Sequence, residues 1–203
     1  MPVRIYDIAK KLGIESKEVQ KVYTSVSTDK IYSTVEGCEA VMSSAYAPFF
    51  SSQYYGGNTL ELKCAASTYF YNNQLRDHGK VEYHNFTLTS ASDFVNTTWQ
   101  YSYKVIGTVN DVIFNVPGAP IDIADKKKIL GEAYFLRAWV FFDNYIFWGG
   151  IPLRTQPSSF SNVNIPRASA DSVVKQILAD IDSAKANLPE PSQAIPGRPS
   201  KYA

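Results

Sequence analysis

The chain has 203 residues, of which 45% are hydrophobic, 19% charged and 14% aromatic, and 20 Lys and Arg against 19 Asp and Glu leave a net charge of +1. That balance is too apolar for a disordered chain and too neutral for electrostatic attraction to nucleic acid, and the length suffices for one ordinary core. No apolar run approaches the ~18 residues that a membrane-spanning helix needs, and Tyr outnumbering Phe (14 to 11) implies rings at half-wet positions as well as in the core.

In chain order, residues 1–20 lack the basic start, apolar stretch and small-residue cleavage site of an export signal. They are amphipathic, with Ile5, Ile8, Ala9 and Leu12 at helical spacing before Gly13. Residues 37–50 predict a helix with Met42, Ala45, Tyr46 and Phe49 on one side, and 51–57 a Ser- and Gly-rich loop. Residues 58–75 predict a helix with Leu60, Cys64 and Tyr71 on one face, and 80–92 an extended loop or short strand. Cys38 and Cys64 read as small buried hydrophobes, with a disulfide as the alternative.

Three long helices follow. Over 93–115, Val95, Trp99, Tyr103, Ile106, Val109 and Ile113 recur at steps of three and four, and Ser92 or Asp93 can accept from the first turn. Residues 124–148 are apolar in nearly every direction, which predicts a central helix buried by several neighbours and stopped at Gly149-Gly150 and Pro152. Within it, Glu132 and Arg137 are separated by about 500° of turn, so they point about 140° apart and each must reach a partner on another segment. Their role is read as structural, an ion pair each that sets helix register. Residues 170–188 present Val173, Ile177, Ile181, Ala184 and Leu188 on one face, opposite Lys175, Asp180, Asp182 and Lys185, with Ser169 as N-cap. This stripe is expected to stay exposed for want of a following partner, leaving the chain marginally stable; the turn and cap signal at 197–200 predicts a further helix that is cut short, as in a fragment. Long helices with few strands make the fold class mostly α, with antiparallel helix pairs as the economical arrangement.

Chemistry-bearing motifs are missing. No GxxxxGK[ST], GxGxxG, HExxH or GxSxG occurs, and His78 and His84 beside Asp77 and Glu82 match no metal spacing, so neither an enzyme, a cofactor nor a metal site is expected. The aromatic loops are the better candidates. Tyr54, Tyr55 and Asn58 share one turn; Tyr71, Asn72 and His78 fall near the next; Tyr83 and His84 follow. A ring presents an apolar face to the apolar face of a sugar, and amides bond its hydroxyls, so these eight residues are the expected ligand contacts.

GEAYFLRAWVFFDNYIFWGGIPL (131–153) resembles the Glu-Ala-x-Phe-Leu-Arg-Ala helix, aromatic run and Trp-Gly-Gly-Ile-Pro-Leu hallmark of the SusD/RagB family. Residues 27–49, 99–113 and the run from IPRAS to GRPSK resemble three further blocks of that family, in order, so the likeness covers residues ~24–203. The resemblance implies a fold of tetratricopeptide-like helix pairs with long loops. It also implies an outer-membrane lipoprotein at the cell surface that binds glycans or other nutrients and sits on a SusC-like TonB-dependent transporter. Glu132, Phe135, Leu136, Arg137, Gly149, Gly150 and Pro152 would be scaffold, and the second half of a usual member would be missing. Residues 3–19 instead resemble the extreme N-terminus of bacterial translation initiation factor 2. The organisation expected is therefore a foreign segment, 1–20, joined to the N-terminal part of a SusD-like domain, 21–203. The competing readings are a helical-repeat module whose ligand is protein and a translation-associated protein.

Overall fold

The computed structural model of the protein describes residues 28–65, 82, 85, 87, 89–158 and 164–203. The amphipathic segment 1–20 lies outside them, as do Tyr71, Asn72, His78, Tyr83, His84 and the side chain of Cys64. Six α-helices are present among the described residues: α1 (Thr28–Ile31), α2 (Val35–Tyr46), α3 (Asn58–Ala65), α4 (Asp93–Asn115), α5 (Ile123–Trp148) and α6 (Ala170–Asn187). No strand occurs among the described residues, and no helix there is long and apolar enough to cross a membrane.

Helix α2 starts where Thr34 Oγ1 accepts from the Gly37 amide at 3.1 Å, satisfying one of the free first-turn donors. It passes at Pro48 into a 3₁₀ turn, Ala47–Phe50, and inserts Cys38, Met42 and Ala45 into the core. Cys38 is a free thiol, buried among apolar neighbours, which is the small-hydrophobe role. In α3, by contrast, Leu60 is 53% exposed rather than inward-facing, whereas Thr59 beside it is buried.

Helix α5 is the axis of the molecule. It packs against α4, α6 and α2, and contributes Ile129, Ala133, Leu136, Val140 and Phe141 to a core shared with Val105, Val109 and Val112 of α4 and Val173 and Ile177 of α6. Its capacity to be covered on several sides follows from its all-round apolar sequence. One strip nevertheless faces outward: Trp139, Phe142 and Ile146 are each about half exposed. Gly149 ends the helix with φ at +67°, a conformation an L side chain resists, while its amide closes on the Tyr145 carbonyl at 2.8 Å.

The structure corrects the sequence reading of two helix faces, one N-cap and the chain's last turn. The buried face of α4 runs through Phe94, Thr98, Ser102, Val105, Ile106, Val109, Asn110 and Val112; Ile106 and Val109 face the core as read, but the face as a whole is turned by about 60° from the one read through Val95, Trp99, Tyr103, Ile106, Val109 and Ile113. Its N-cap residue, Ser92, makes no capping bond, because its hydroxyl donates to Glu82 instead. Asp180 of α6 is buried rather than solvated, and the apolar stripe of α6 is covered by α5 with only Ile181 left half exposed, which removes the stated ground for marginal stability. Gly131 permits that contact: a Cβ there would lie 2.8 Å from the Leu188 amide nitrogen. The predicted terminal helix is instead a turn, closed by the Ala203 amide on the Ser200 carbonyl and tied back where the Lys201 amide meets the Pro189 carbonyl.

Candidate functional site

The two charges inside α5 each find a partner on another segment. Arg137 donates from Nε and Nη2 to both carboxylate oxygens of Asp180 at 2.8 and 2.7 Å, and from Nη1 to Asn110 Oδ1 at 2.8 Å and the Thr155 carbonyl at 3.2 Å. A fork of this kind satisfies a buried guanidinium almost completely. Glu132 accepts from Arg198 at 2.6 Å and from the Tyr46 phenol at 3.3 Å, and the Arg198 guanidinium lies over the Tyr46 ring. The Arg137 cluster is closed, whereas the Glu132 cluster reaches the surface through the partly exposed Arg198; both tie separate segments together. Burial, followed by the Glu132 charge, pushes the Tyr46 phenol well above its ordinary value of 10.0.

Of the ligand contacts expected from sequence, Tyr54, Tyr55 and Asn58 are described. Tyr54 is 1% exposed, a core ring stacked 6.2 Å from Tyr101, which corrects its placement on a surface loop. Tyr55 is half-buried, and its phenol donates to Asp143 while accepting from Lys63 and from Trp139 Nε1. One donor and two acceptor positions exhaust a phenol, so the Tyr55 hydroxyl has no capacity left for a ligand. Lys63 also pairs with the buried Asp143 at 2.7 Å. Asn58 donates to Thr97 Oγ1 at 3.2 Å, joining α3 to α4.

The accessible aromatic surface lies elsewhere. Two adjoining grooves, of about 480 and 420 Å³, share Trp99 and Pro152 as their common wall. The rotation of α4 leaves Trp99 and Tyr103 partly buried, packed against the core and lining these grooves. Trp99 meets the Trp148 ring edge-on at 4.9 Å and the tilted Tyr103 ring at 4.7 Å, so three rings from α4 and the end of α5 are in contact along the grooves. The loop that carries Pro152 is fixed to α4 from below: the Tyr103 hydroxyl donates to the Pro152 carbonyl at 2.8 Å, and Asn110 Nδ2 donates to the carbonyls of Arg154 and Gln156. Gly150 is needed because any Cβ would fall 2.2 Å from the Ala168 carbonyl oxygen, where the returning chain crosses. Asn96, Gln100 and Gln156 supply amides along the rim, with Gln100 Nε2 donating to Asn96 Oδ1 at 3.2 Å.

An apolar floor with convergent amides suits a ligand that has one apolar face and many hydroxyls. The signal in the sequence was Trp99 and Tyr103 four residues apart and Trp148 before Gly-Gly; helical spacing assigned them to the core, and all three do pack against it while also lining the grooves.

The sequence model of a family described as "Starch-binding associating with outer membrane", SusD-like, matches residues 23–203. The chain belongs to the SusD-like family. Among curated relatives, the SusD-like protein P38 of Formosa agariphila is 31% identical over 171 residues, which cover 81% of this chain and 32% of P38. The SusD-like protein P2 of the same organism is 25% identical over 178 residues, 85% of this chain and 35% of P2. This SusD-like chain therefore spans about a third of the length of these relatives. Solved structures share its fold: a SusD-like protein of Bacteroides fragilis at 20% identity has a TM-score of 0.68 over 85% of this chain and 34% of that one. A laminarin-binding SusD-like protein at 23% identity has a TM-score of 0.69 over 81% and 36%. The mostly helical SusD-like architecture is thus shared across the described part of the chain. Residues 1–20 precede the matched region.

Proposed function

We propose that the chain is part of a non-enzymatic glycan-capturing component at the outer-membrane surface, one that binds oligosaccharide in the Trp99–Trp148 grooves and delivers it to a SusC-like TonB-dependent transporter. The observation that carries this reading is the match of residues 23–203 to a starch-binding family that associates with the outer membrane. The grooves support it independently, because three rings and the amides of Asn96, Gln100 and Gln156 provide both surfaces that a sugar presents.

Affinity electrophoresis of the chain through gels containing polysaccharides of varied composition tests the reading. Retardation by at least one of them is expected, and it should weaken about tenfold in the doubly substituted Asn96→Ala, Gln100→Ala protein, since two hydrogen bonds of ordinary net worth are lost. Both residues are exposed, so the substitutions leave the core intact. Migration unchanged by every polysaccharide would overturn glycan capture. The exposed Trp139, Phe142 and Ile146 strip favours the second reading, a helical-repeat module whose ligand is protein. Recovery of a transporter in a pull-down, without any glycan binding, would decide for it.

A further inference from the structure

The walls of the two grooves follow two different backbone periods. On α4, Asn96, Trp99, Tyr103, Gly107 and Asn110 recur at steps of three and four, which sets them along one face of the helix. The other wall comes from the segment after α5, which contributes every second residue: Gly150, Pro152, Arg154, Gln156 and Ser158. Ile151 and Leu153 between them turn inward, the first fully buried and the second packed against the core. Such alternation is what an extended stretch of chain produces. Trp99 and Pro152 line both grooves, so the grooves meet at that pair. From there they run on to Asn96 and Gly150 at one end and to Asn110 and Ser158 at the other. The bonds from Tyr103 and Asn110 to the carbonyls of Pro152, Arg154 and Gln156 hold the two walls at a fixed spacing, so the space between them is shaped before any ligand arrives.

Gly107 marks the second half. A glycine inside a helix costs stability that an alanine would not. No atom of the described residues lies within 4 Å of where its Cβ would stand, so no close approach calls for a glycine there. Its effect is to leave room in the second groove, which it lines.

Length follows from helix geometry. Between Asn96 and Asn110 the helix rises about 21 Å. With covalent bonds of about 1.5 Å, one pyranose unit advances a glycan by roughly 5 Å, so the two grooves together match about four units. A shorter ligand fills one half and forgoes the contacts of the other.

We propose that the two grooves are halves of one trough, which selects glycans by length and takes about four pyranose units alongside α4. This rests on the glycan-binding reading above and specifies its substrate class: oligosaccharide stretches of about four units or more, in preference to mono- and disaccharides.

The test is calorimetric titration of the full chain with the di-, tetra- and hexasaccharides of amylose, laminarin and xylan, beside the three polymers themselves in affinity gels. For a polymer that retards the chain, affinity is expected to rise about tenfold or more from disaccharide to tetrasaccharide. From tetrasaccharide to hexasaccharide it should rise by no more than about threefold, the gain from the three four-unit stretches that a hexasaccharide offers. Gly107→Leu places bulk in the second groove while improving helix propensity. It should cost the tetrasaccharide about tenfold in affinity, down to the level of the disaccharide, in a protein that melts no earlier than the parent. The ladder on the unsubstituted chain decides by itself if that variant fails to fold. Equal affinity for di- and tetrasaccharide, or retardation by a polymer whose hexasaccharide does not bind, would overturn the trough and leave glycan capture standing. A tenfold rise from tetra- to hexasaccharide would overturn the four-unit length, and a step that persists in folded Gly107→Leu would overturn the role of the second groove. Binding to none of the polymers or their ladders would overturn this inference, and glycan capture with it if every other polysaccharide also leaves migration unchanged.

Discussion

The Arg137–Asp180 pair shows what single residues do in this protein. Both side chains are almost wholly buried, and the fork between them is completed by Asn110 and the Thr155 carbonyl. Removing one partner strands a charge in the interior, so Asp180→Asn or Arg137→Met should each lower unfolding stability by about 3–5 kcal/mol. The double variant Arg137→Met, Asp180→Leu should recover most of that loss, since an apolar pair of similar volume leaves no charge uncompensated. Urea unfolding followed by circular dichroism measures all three, and a double variant no more stable than the singles would sink the argument. That Arg137 must leave its own helix was legible from its place in an apolar run. The acid it reaches was not identified, although Asp180 sits three residues after Ile177 and four before Ala184, on the stripe that enters the core. Periodicity sorts residues by polarity, and a polar residue on the apolar face is assigned outward unless its partner is known.

Among the helices, the reading of existence and extent came close for α4, α5 and α6, because each is long and ends at a Gly or Pro signal. Orientation about the axis was less legible. The buried face of α4 includes Thr98, Ser102 and Asn110, whose hydrogen bonds run to Phe94, to Asn144 and to the Pro152 loop. Those bonds stabilise a rotation that size and hydropathy alone would not select, and the same rotation delivers Trp99 and Tyr103 to the grooves. Two glycines separate helix propensity from packing. Gly107 is inside α4 with open space where a Cβ would point, whereas a Cβ on Gly131 would meet the backbone at Asn187 and Leu188. Gly107→Ala should therefore stabilise the protein by about 0.5–1 kcal/mol, while Gly131→Ala should destabilise it by about 1–3 kcal/mol as α6 is pushed off α5. Thermal unfolding of the two variants should show shifts of opposite sign; a Gly131→Ala protein as stable as the parent would mean that the α5–α6 contact yields without loss.

At the scale of the whole molecule, the core is mainly aliphatic, with Tyr32 and Tyr54 inside it and Tyr46, Tyr55 and Tyr103 partly buried against it. Tyr32, Tyr46, Tyr54, Tyr55 and Tyr103 all have their acidity weakened, in each case first by burial. The Asp111 charge adds to it at Tyr32, which is pushed up to about 12, Glu132 at Tyr46 and Asp143 at Tyr55. The consequence for stability has a definite sign. A phenol whose native value lies above its unfolded value of 10.0 stays protonated in the native state at pH values where the unfolded chain has released the proton. Stability is therefore undiminished by these groups below about pH 10 and falls progressively above it, through about pH 12 for Tyr32. Urea midpoints measured in steps from about pH 8 to about pH 11.5 should be level and then drop, and phenolate absorbance of the native protein should lag behind that of the urea-unfolded chain. Tyr54 gives the sharpest version of the test, because its buried hydroxyl has no hydrogen-bond partner among the described residues and so contributes nothing there that phenylalanine would lack. Tyr54→Phe should hold or raise stability near pH 8 and make the alkaline fall shallower. A midpoint that stays level to about pH 11.5 in the parent chain, or falls just as steeply in Tyr54→Phe, would show that the buried rings do not govern the alkaline limit of the fold.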